Sequence, residues 1–408
     1  MENSPLKLLI LGHVWPQPNA SAAGEHMLHL IHLFRDMGYQ LHFATAAQMP
    51  EHYNELDGLD IQCTSVEIND NDFDFFIDDL QPNVVLFDRF MVEEQFSWRI
   101  KKILPQALLV LDTEDIHFLR KQREARVKGR QQEALSDIAK RELASIYRCD
   151  MSLVISQAEI ELLLNKYQVP KQQLFYLPLL SEKLDIKNTP SFKEREDLIF
   201  VGNFLHEPNW QAVQVLKKEI WPLVRKQKPN LKIHIYGAYA SQKHLQLNNE
   251  KEGFLVHGFV QDIETALKNA RLLVAPLYFG AGQKGKLLKA MQCGTPTITT
   301  KIGAEAMQFD KQWPGMIAND YKDFASAIIM LYANAGVWQQ KQLAIEPLVN
   351  SHFQYEVYLK KLEKALKILE NNLEHQRDKN ITGQILWHHS MRSTEFMSRW
   401  IMEKNTVK

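Results

Sequence analysis

The stretch "PLYFGAGQKGKLLKAMQCGTPTITT", Pro276 to Thr300, decides the fold. The run Leu272 to Pro276 reads as a strand. A loop with Gly280, Gly282 and Gly285 follows, then a helical stretch that stops at Gly294-Thr295-Pro296, then a second strand, Thr297 to Thr300. Strand, glycine loop and helix start together receive an anion, because free backbone N–H groups and the positive end of the helix dipole converge on one point. Gly280 and Gly282 remove side chains that would bar a pyrophosphate from the backbone, and Lys284 and Lys286 add positive charge beside it. The order GxxxxGK[ST] is absent and no GxGxxG follows the first strand, which sets aside Walker-type ATPases and ordinary dinucleotide enzymes.

Outward from this stretch, short apolar runs alternate with amphipathic helical patterns, the signature of a parallel α/β sheet. The first half offers "LKLLILG", "QLHFAT", "NVVLFD", "ALLVLD" and "MSLVIS" as strands, with a helix at Ala23 to Met37. A polar linker, Ser181 to Asp197, interrupts the pattern, which restarts with "LIFVGN", "LKIHIYG", "RLLVAP" and "TPTITT". The expectation is two doubly wound, Rossmann-like domains, 1–185 and 186–375, facing a cleft at the C-terminal ends of their sheets. From Phe353 the pattern is helical. The segment 382–408 reads as a helix packing back on the first domain, with an interfacial membrane helix as the alternative that its mixed charges disfavour.

Composition limits the function classes. The chain has 408 residues, 45% hydrophobic and 24% charged, with a formal net charge of -1. That balance gives no global field for nucleic acid. Cys63, Cys149 and Cys293 lie far apart without metal-ligand spacing, which fits a reducing cytoplasm and no zinc site. No run approaches the length of a membrane span.

Three further stretches carry polar groups past strand ends. In "GHVWPQPNASAAGEHML", small residues up to Gly24 precede a helix and allow a ligand near the backbone, or serve only a tight connection. In "LLVLDTEDIHFLRKQREARVKGR", Asp112 ends a strand, and Glu114, Asp115 and His117 follow on the ligand-binding edge. Two carboxylates beside a histidine can orient sugar hydroxyls or accept a proton; the plainer reading is that Asp112 or Asp115 caps the next helix. Arg120 to Arg130 holds six basic residues against Glu124, a solvated face or a greeting for an anion. In "FVGNFLHEPNWQAV", Gly202 ends a strand, and His206 and Asn209 face the cleft or cap a helix.

On "PNASAAGEHMLHLI", "DTEDIHFLRKQREA", "FVGNFLHEPNWQAV" and the long block from His257 to Met307, the chain resembles glycosyltransferase family 4, the group 1 nucleotide-sugar transferases of the GT-B fold. The resemblance spans about Leu6 to Leu369. It implies retaining, metal-independent transfer from a nucleotide-sugar donor, bound in the second domain, to a glycan, lipid-linked or small-molecule acceptor in the first. No cofactor or metal is expected, and the setting is cytoplasmic, with peripheral contact at the inner face of a membrane as an option. Carried across by motif, Gly280, Ala281, Gly282, Lys284 and Lys286 resemble the diphosphate site, and Glu114, Asp115 and His117 the donor-sugar and acceptor edge. Two departures stand out. His206 and Asn209 replace the family's arginine–lysine pair. Lys289 stands where the family tends to carry a glutamate for the nucleotide ribose, and lysine cannot accept those hydrogen bonds. Glu305 is the nearby acid expected to compensate. These departures leave a second reading, a catalytically weak GT-B protein that binds a nucleotide or a partner transferase.

Overall fold

The computed structural model describes residues 5–406, apart from 52, 132 and 134. The first domain is built on seven strands: β1 (Lys7–Gly12), β2 (Gln40–Thr45), β3 (Ile61–Ser65), β4 (Val84–Asp88), β5 (Leu108–Asp112), β6 (Met151–Val154) and β7 (Leu174–Tyr176). They are parallel and ordered β3-β2-β1-β4-β5-β6-β7. The second sheet has six: β8 (Glu196–Val201), β9 (Ile233–Tyr236), β10 (Phe254–Gly258), β11 (Ala270–Ala275), β12 (Thr297–Thr299) and β13 (Gly315–Ile317). Their order, β10-β9-β8-β11-β12-β13, repeats the same winding. In each sheet the direction of strand addition reverses beside the first strand, leaving a crevice at the carboxyl ends.

The central strands are apolar throughout because helices cover both faces. Leu8 to Leu11 in β1 and Val84 to Phe87 in β4 are wholly buried. Short edge strands behave differently: β3, "IQCTS", is largely exposed and carries few apolar residues. The linker is pinned at its end by Arg195. Its buried guanidinium donates to the carbonyls of Pro190, Leu267, Ala270 and Cys293 and to the Thr295 hydroxyl.

The second domain ends earlier than the expected 375. The helix Tyr355–Asn371 turns Tyr355, Tyr358, Leu362, Leu366 and Leu369 into the first domain's core, against Leu8, Ile10, Leu108 and Leu177. Full burial of a leucine is worth about 1.5–3 kcal/mol, so the helix goes where its apolar stripe is covered. Chain continuity alone hides this crossing, since the 3.6-residue period is the same whichever sheet receives it. The last helix, Ile381–Thr406, lies on the helices Phe90–Ile103 and Asp137–Arg148 of the first domain. There Trp387 Nε1 donates to the Arg148 carbonyl at 3.1 Å. Its other side exposes Ile385, Phe396 and Trp400. Among the described residues no helix is long and apolar enough to cross a membrane.

Candidate functional site

A cleft of about 470 Å³ lies between the carboxyl edges of the two sheets. A larger cavity, about 600 Å³, sits under the last helix at the opposite edge of the first sheet. Its buried charges are already engaged, Arg377 with Asp150 and Arg148 with Glu93, whereas the cleft gathers the polar residues past the strand ends.

The N-terminal wall comes from the segments after β4 and β5. Glu114, Asp115 and His117 all line the cleft, as do Arg89 and Arg120. Neither Asp112 nor Asp115 caps the helix His117–Val127. Glu142, from the helix Asp137–Arg148, accepts the N–H groups of His117 and Phe118, each at 2.9 Å. That leaves Asp115 for the cleft. Burial works to raise its pKa, but the Arg120 guanidinium bonded to it and the nearby His117 hold it below the usual range. His117 Nε2 lies 3.6 Å from Asp115 Oδ1, and burial outweighs that carboxylate to push the imidazole down to about 4. It is neutral at pH 7, able to donate from one nitrogen and accept at the other. Glu114 is pushed up to about 7 by burial, with His26 opposing and Asp112 adding to the shift.

The C-terminal wall presents Gly202, Asn203, His206, Asn209, Ala281, Lys284, Gly285, Lys286 and Lys289 to the same space. Gly202 is required by packing: a Cβ there would lie 2.7 Å from Asn209 Cγ and 2.7 Å from Lys286 Nζ. The Lys286 ammonium bonds to the Asn209 amide oxygen and sits 4.5 Å above the Phe200 ring. Burial, then the like charge of Lys284, brings it down to about 7. Asn209 also donates to the Asn203 carbonyl at 2.9 Å, so its side chain organises the loop and holds the lysine. His206 is the residue before the helix Glu207–Val215; its side chain makes no cap, and burial with Arg120 beside it lowers its pKa to about 4.

Several expectations are corrected here. Gly280 and Gly282 do not line the cleft; the first domain occupies their backbone. Gly282 N–H donates to Glu159 Oε1 at 2.7 Å, and Arg123 donates to the Gly280 carbonyl at 2.8 Å. Lys284 curls onto the carbonyls of Ala281 and Gly282, at 2.8 and 2.6 Å, as the loop turns into the helix Gly285–Gln292. Glu305 does not line the cleft, and Arg123 grips both its oxygens at 2.6 and 2.9 Å. Lys289 does line the cleft, yet its ammonium is held by Glu25 across the domain boundary at 3.1 Å and by Glu264 at 3.0 Å. Gly24 serves the chain itself: a Cβ there would meet the Gln17 backbone at 2.4 Å. The basic run after Arg120 is mostly paired, Arg120 with Asp115, Arg123 with Glu305, Lys128 with Glu124 and Glu207. Sequence reading missed Arg89 and Glu25. Arg89 carries the same signal that marked Glu114, a polar residue just past an apolar strand.

Comparison with known proteins agrees with this arrangement. The family model described as "Glycosyl transferases group 1" matches residues 195–334. No curated protein matches the chain. Among solved structures, sucrose-phosphate synthase from Thermosynechococcus elongatus superposes with a TM-score of 0.69 at 14% identity, covering 89% of this chain and 99% of that one. A glycosyltransferase from Rickettsia africae gives 0.66 at 13% identity, covering 90% and 99%. HepE from Anabaena, solved with UDP and glucose, gives 0.65 at 12%, covering 89% and 99%. At these identities the likeness to solved structures is one of fold. Residues 195–334 are thus similar to the group 1 glycosyl transferases, and the two domains together have the GT-B fold.

Proposed function

We propose that the chain moves a sugar from a nucleotide-sugar donor to a hydroxyl-bearing acceptor, with retention and without a bound metal. The observation that carries this reading is the meeting of buried Lys284 and half-buried Lys286, at the start of the helix Gly285–Gln292, with the Asp115–His117 edge across the cleft. HepE, of the same fold, binds UDP and glucose, which supports a nucleotide-sugar donor here. The diphosphate meets Lys286 and the helix start, and its charge restores the proton that burial makes hard to keep on that lysine. Stabilising the leaving diphosphate in this way contributes several kcal/mol. Neutral His117 hydrogen-bonds the transferred sugar, Asp115 and Arg120 fix its position, and closure of the domains excludes water. The lysines supply the positive charge that a metal would otherwise bring. Turnover therefore persists in excess EDTA; loss on chelation, with recovery on adding Mn²⁺ or Mg²⁺, contradicts this part.

A thermal-shift screen against UDP, GDP, ADP, CMP and dTDP tests the donor. A nucleotide at 100 times its dissociation constant adds about 2.7 kcal/mol of stability. A flat response to all five sinks the proposal. A nucleotide that binds without any turnover favours the second reading, a binding protein, to which the engagement of Lys289 by Glu25 and Glu264 lends support.

A further inference from the structure

Arg89 has no role in that scheme, yet it sits in the cleft under unusual constraint. It follows β4 directly with φ 73°, and Glu114, two residues past β5, has φ 55°. Both are non-glycine residues in a region that L-residues rarely adopt, a condition that clusters at binding sites. Asp88 and Asp112 are register partners in neighbouring strands, and Arg89 N–H donates to the Asp112 carbonyl at 2.8 Å. The two side chains thus leave adjacent strands, β4 beside the switch point of the sheet and β5 next to it, and both line the cleft.

Their hydrogen-bonding capacity is unspent. Among the described residues, the Arg89 guanidinium makes no hydrogen bond; its one ion contact is Nε to Asp88 Oδ1 at 3.3 Å. Glu114 Oε1, Asp112 Oδ2 and His26 Nδ1 are buried with no partner. Buried polar atoms are nearly always satisfied, and Glu114, whose Oε1 is one of these orphans, lines the cleft beside Arg89, so its oxygen marks a missing guest there. The charges limit what that guest is. An anion on Arg89 meets Asp88, Asp112, Glu114 and Asp115, all close enough to influence that guanidinium. A cation between Asp88, Asp112 and Glu114, whose oxygens lie within 4.8 Å of one another, meets Arg89 and the His26 ring bonded to Asp112 at 3.3 Å. A neutral pair of adjacent hydroxyls suits both sides: one donates to a carboxylate and the other accepts from the guanidinium.

We propose that Arg89 and Glu114 form a subsite for a vicinal diol of the acceptor, so that the acceptor presents a neutral sugar or polyol to the first domain. This rests on the transferase reading above and narrows its acceptor. Asp88, Asp112 and His26 position the two side chains.

The test uses the full chain with a saturating nucleotide, chosen by the thermal screen. Saturation-transfer NMR titrations are run with methyl α-D-glucopyranoside, methyl α-D-mannopyranoside and glycerol, against glucose 1-phosphate and glucuronate as anionic probes. At least one neutral probe binds the wild type, and its dissociation constant rises tenfold or more in Arg89→Gln and in Glu114→Gln. Nucleotide affinity in both variants stays within about twofold. Should either fail to fold by thermal melting, Arg89→Lys, which keeps the charge and loses the fork, replaces it and shows the same loss. The proposal is overturned if anionic probes bind more tightly than neutral ones, if no neutral probe binds, or if the variants bind as the wild type does. It is equally overturned if calorimetry finds a Mg²⁺, Mn²⁺ or Ca²⁺ site that Glu114→Gln removes. Nucleotide binding without polyol binding sinks this subsite alone; absence of nucleotide binding sinks the transferase reading.

Discussion

Replacing Gly282 by alanine separates closure of the two domains from binding of the nucleotide. Gly282 has φ 62°, and an added Cβ would lie 2.8 Å from Asp115 Cβ and 2.8 Å from Ile155 Cδ1. Both neighbours belong to the first domain, as does Glu159, which accepts the Gly282 N–H at 2.7 Å. The left-handed backbone costs an alanine about 1–2 kcal/mol, open or closed, and lowers the stability of the second domain. The clash arises only when the domains meet. Overpacking of this kind costs about 1–3 kcal/mol, and a loosened bond to the buried Glu159 adds about 1 kcal/mol or more. The closed state is therefore disfavoured by about 2–4 kcal/mol, or roughly thirtyfold to a thousandfold in population. Turnover should fall by that order, while the nucleotide dissociation constant stays within about threefold, since Lys286 and the helix start proposed to meet the diphosphate lie wholly in the second domain. Steady-state kinetics, nucleotide calorimetry and small-angle scattering read the three quantities. Adding Ile155→Ala should recover part of the turnover by making room. Normal turnover in Gly282→Ala, or equal losses in turnover and nucleotide affinity, refutes the idea that this contact acts through closure.

Other outcomes follow from the same cleft. Lys289→Glu brings a third carboxylate to Glu25 and Glu264; each partly exposed pair is worth about 0.5–1 kcal/mol, so urea unfolding should show a loss of about 1–2 kcal/mol, partly recovered by Glu25→Gln. His117→Ala should lower turnover at least about a hundredfold while the protein stays folded and keeps its nucleotide affinity, measured by kinetics beside calorimetry. Lys286 titrates at about 7 in the free protein, below its ordinary value, so above pH 7 a diphosphate must bring a proton with it. Nucleotide affinity should then fall by up to about tenfold per pH unit between pH 7 and 9, flatten below pH 7, and lose this dependence in Lys286→Met; calorimetry in buffers of different ionisation enthalpy checks the proton uptake.

Much of this molecule is legible in its sequence because buried parallel strands are apolar on both faces. "LLIL", "VVLF" and "LLVL" admit few other readings. β3, β7 and β13 are not legible for the opposite reason: they are three to five residues long, and β3 and β7 bury little. In the site, residues placed by local geometry appear where the strand ends put them, as with Asp115, His117, Asn209 and Lys286. What sequence reading lacks is the partner across the cleft. Glu305 looks like a ribose acid until Arg123, 182 positions away, takes it. Gly282 looks like open backbone until Glu159 of the other domain reaches it. The 3.6-residue period of the helix Tyr355–Asn371 likewise says that one face is buried, and nothing about which domain buries it.

That helix has a consequence for how the protein is made. The first domain consists of two separated lengths of chain, since its core includes Tyr355, Tyr358, Leu362, Leu366 and Leu369. On a ribosome its strands emerge first, but those five side chains follow only after the whole second domain has been synthesised. At about 5–20 residues per second, that is a wait of roughly ten to thirty-five seconds. During that time Leu8, Ile10, Leu108 and Leu177 lack the covering they have in the finished molecule. The second domain, contiguous in the chain and pinned at its start by Arg195, is free to finish first. The order of completion along the chain is thus middle before beginning, and the N-terminal half is the part most in need of a chaperone while it waits.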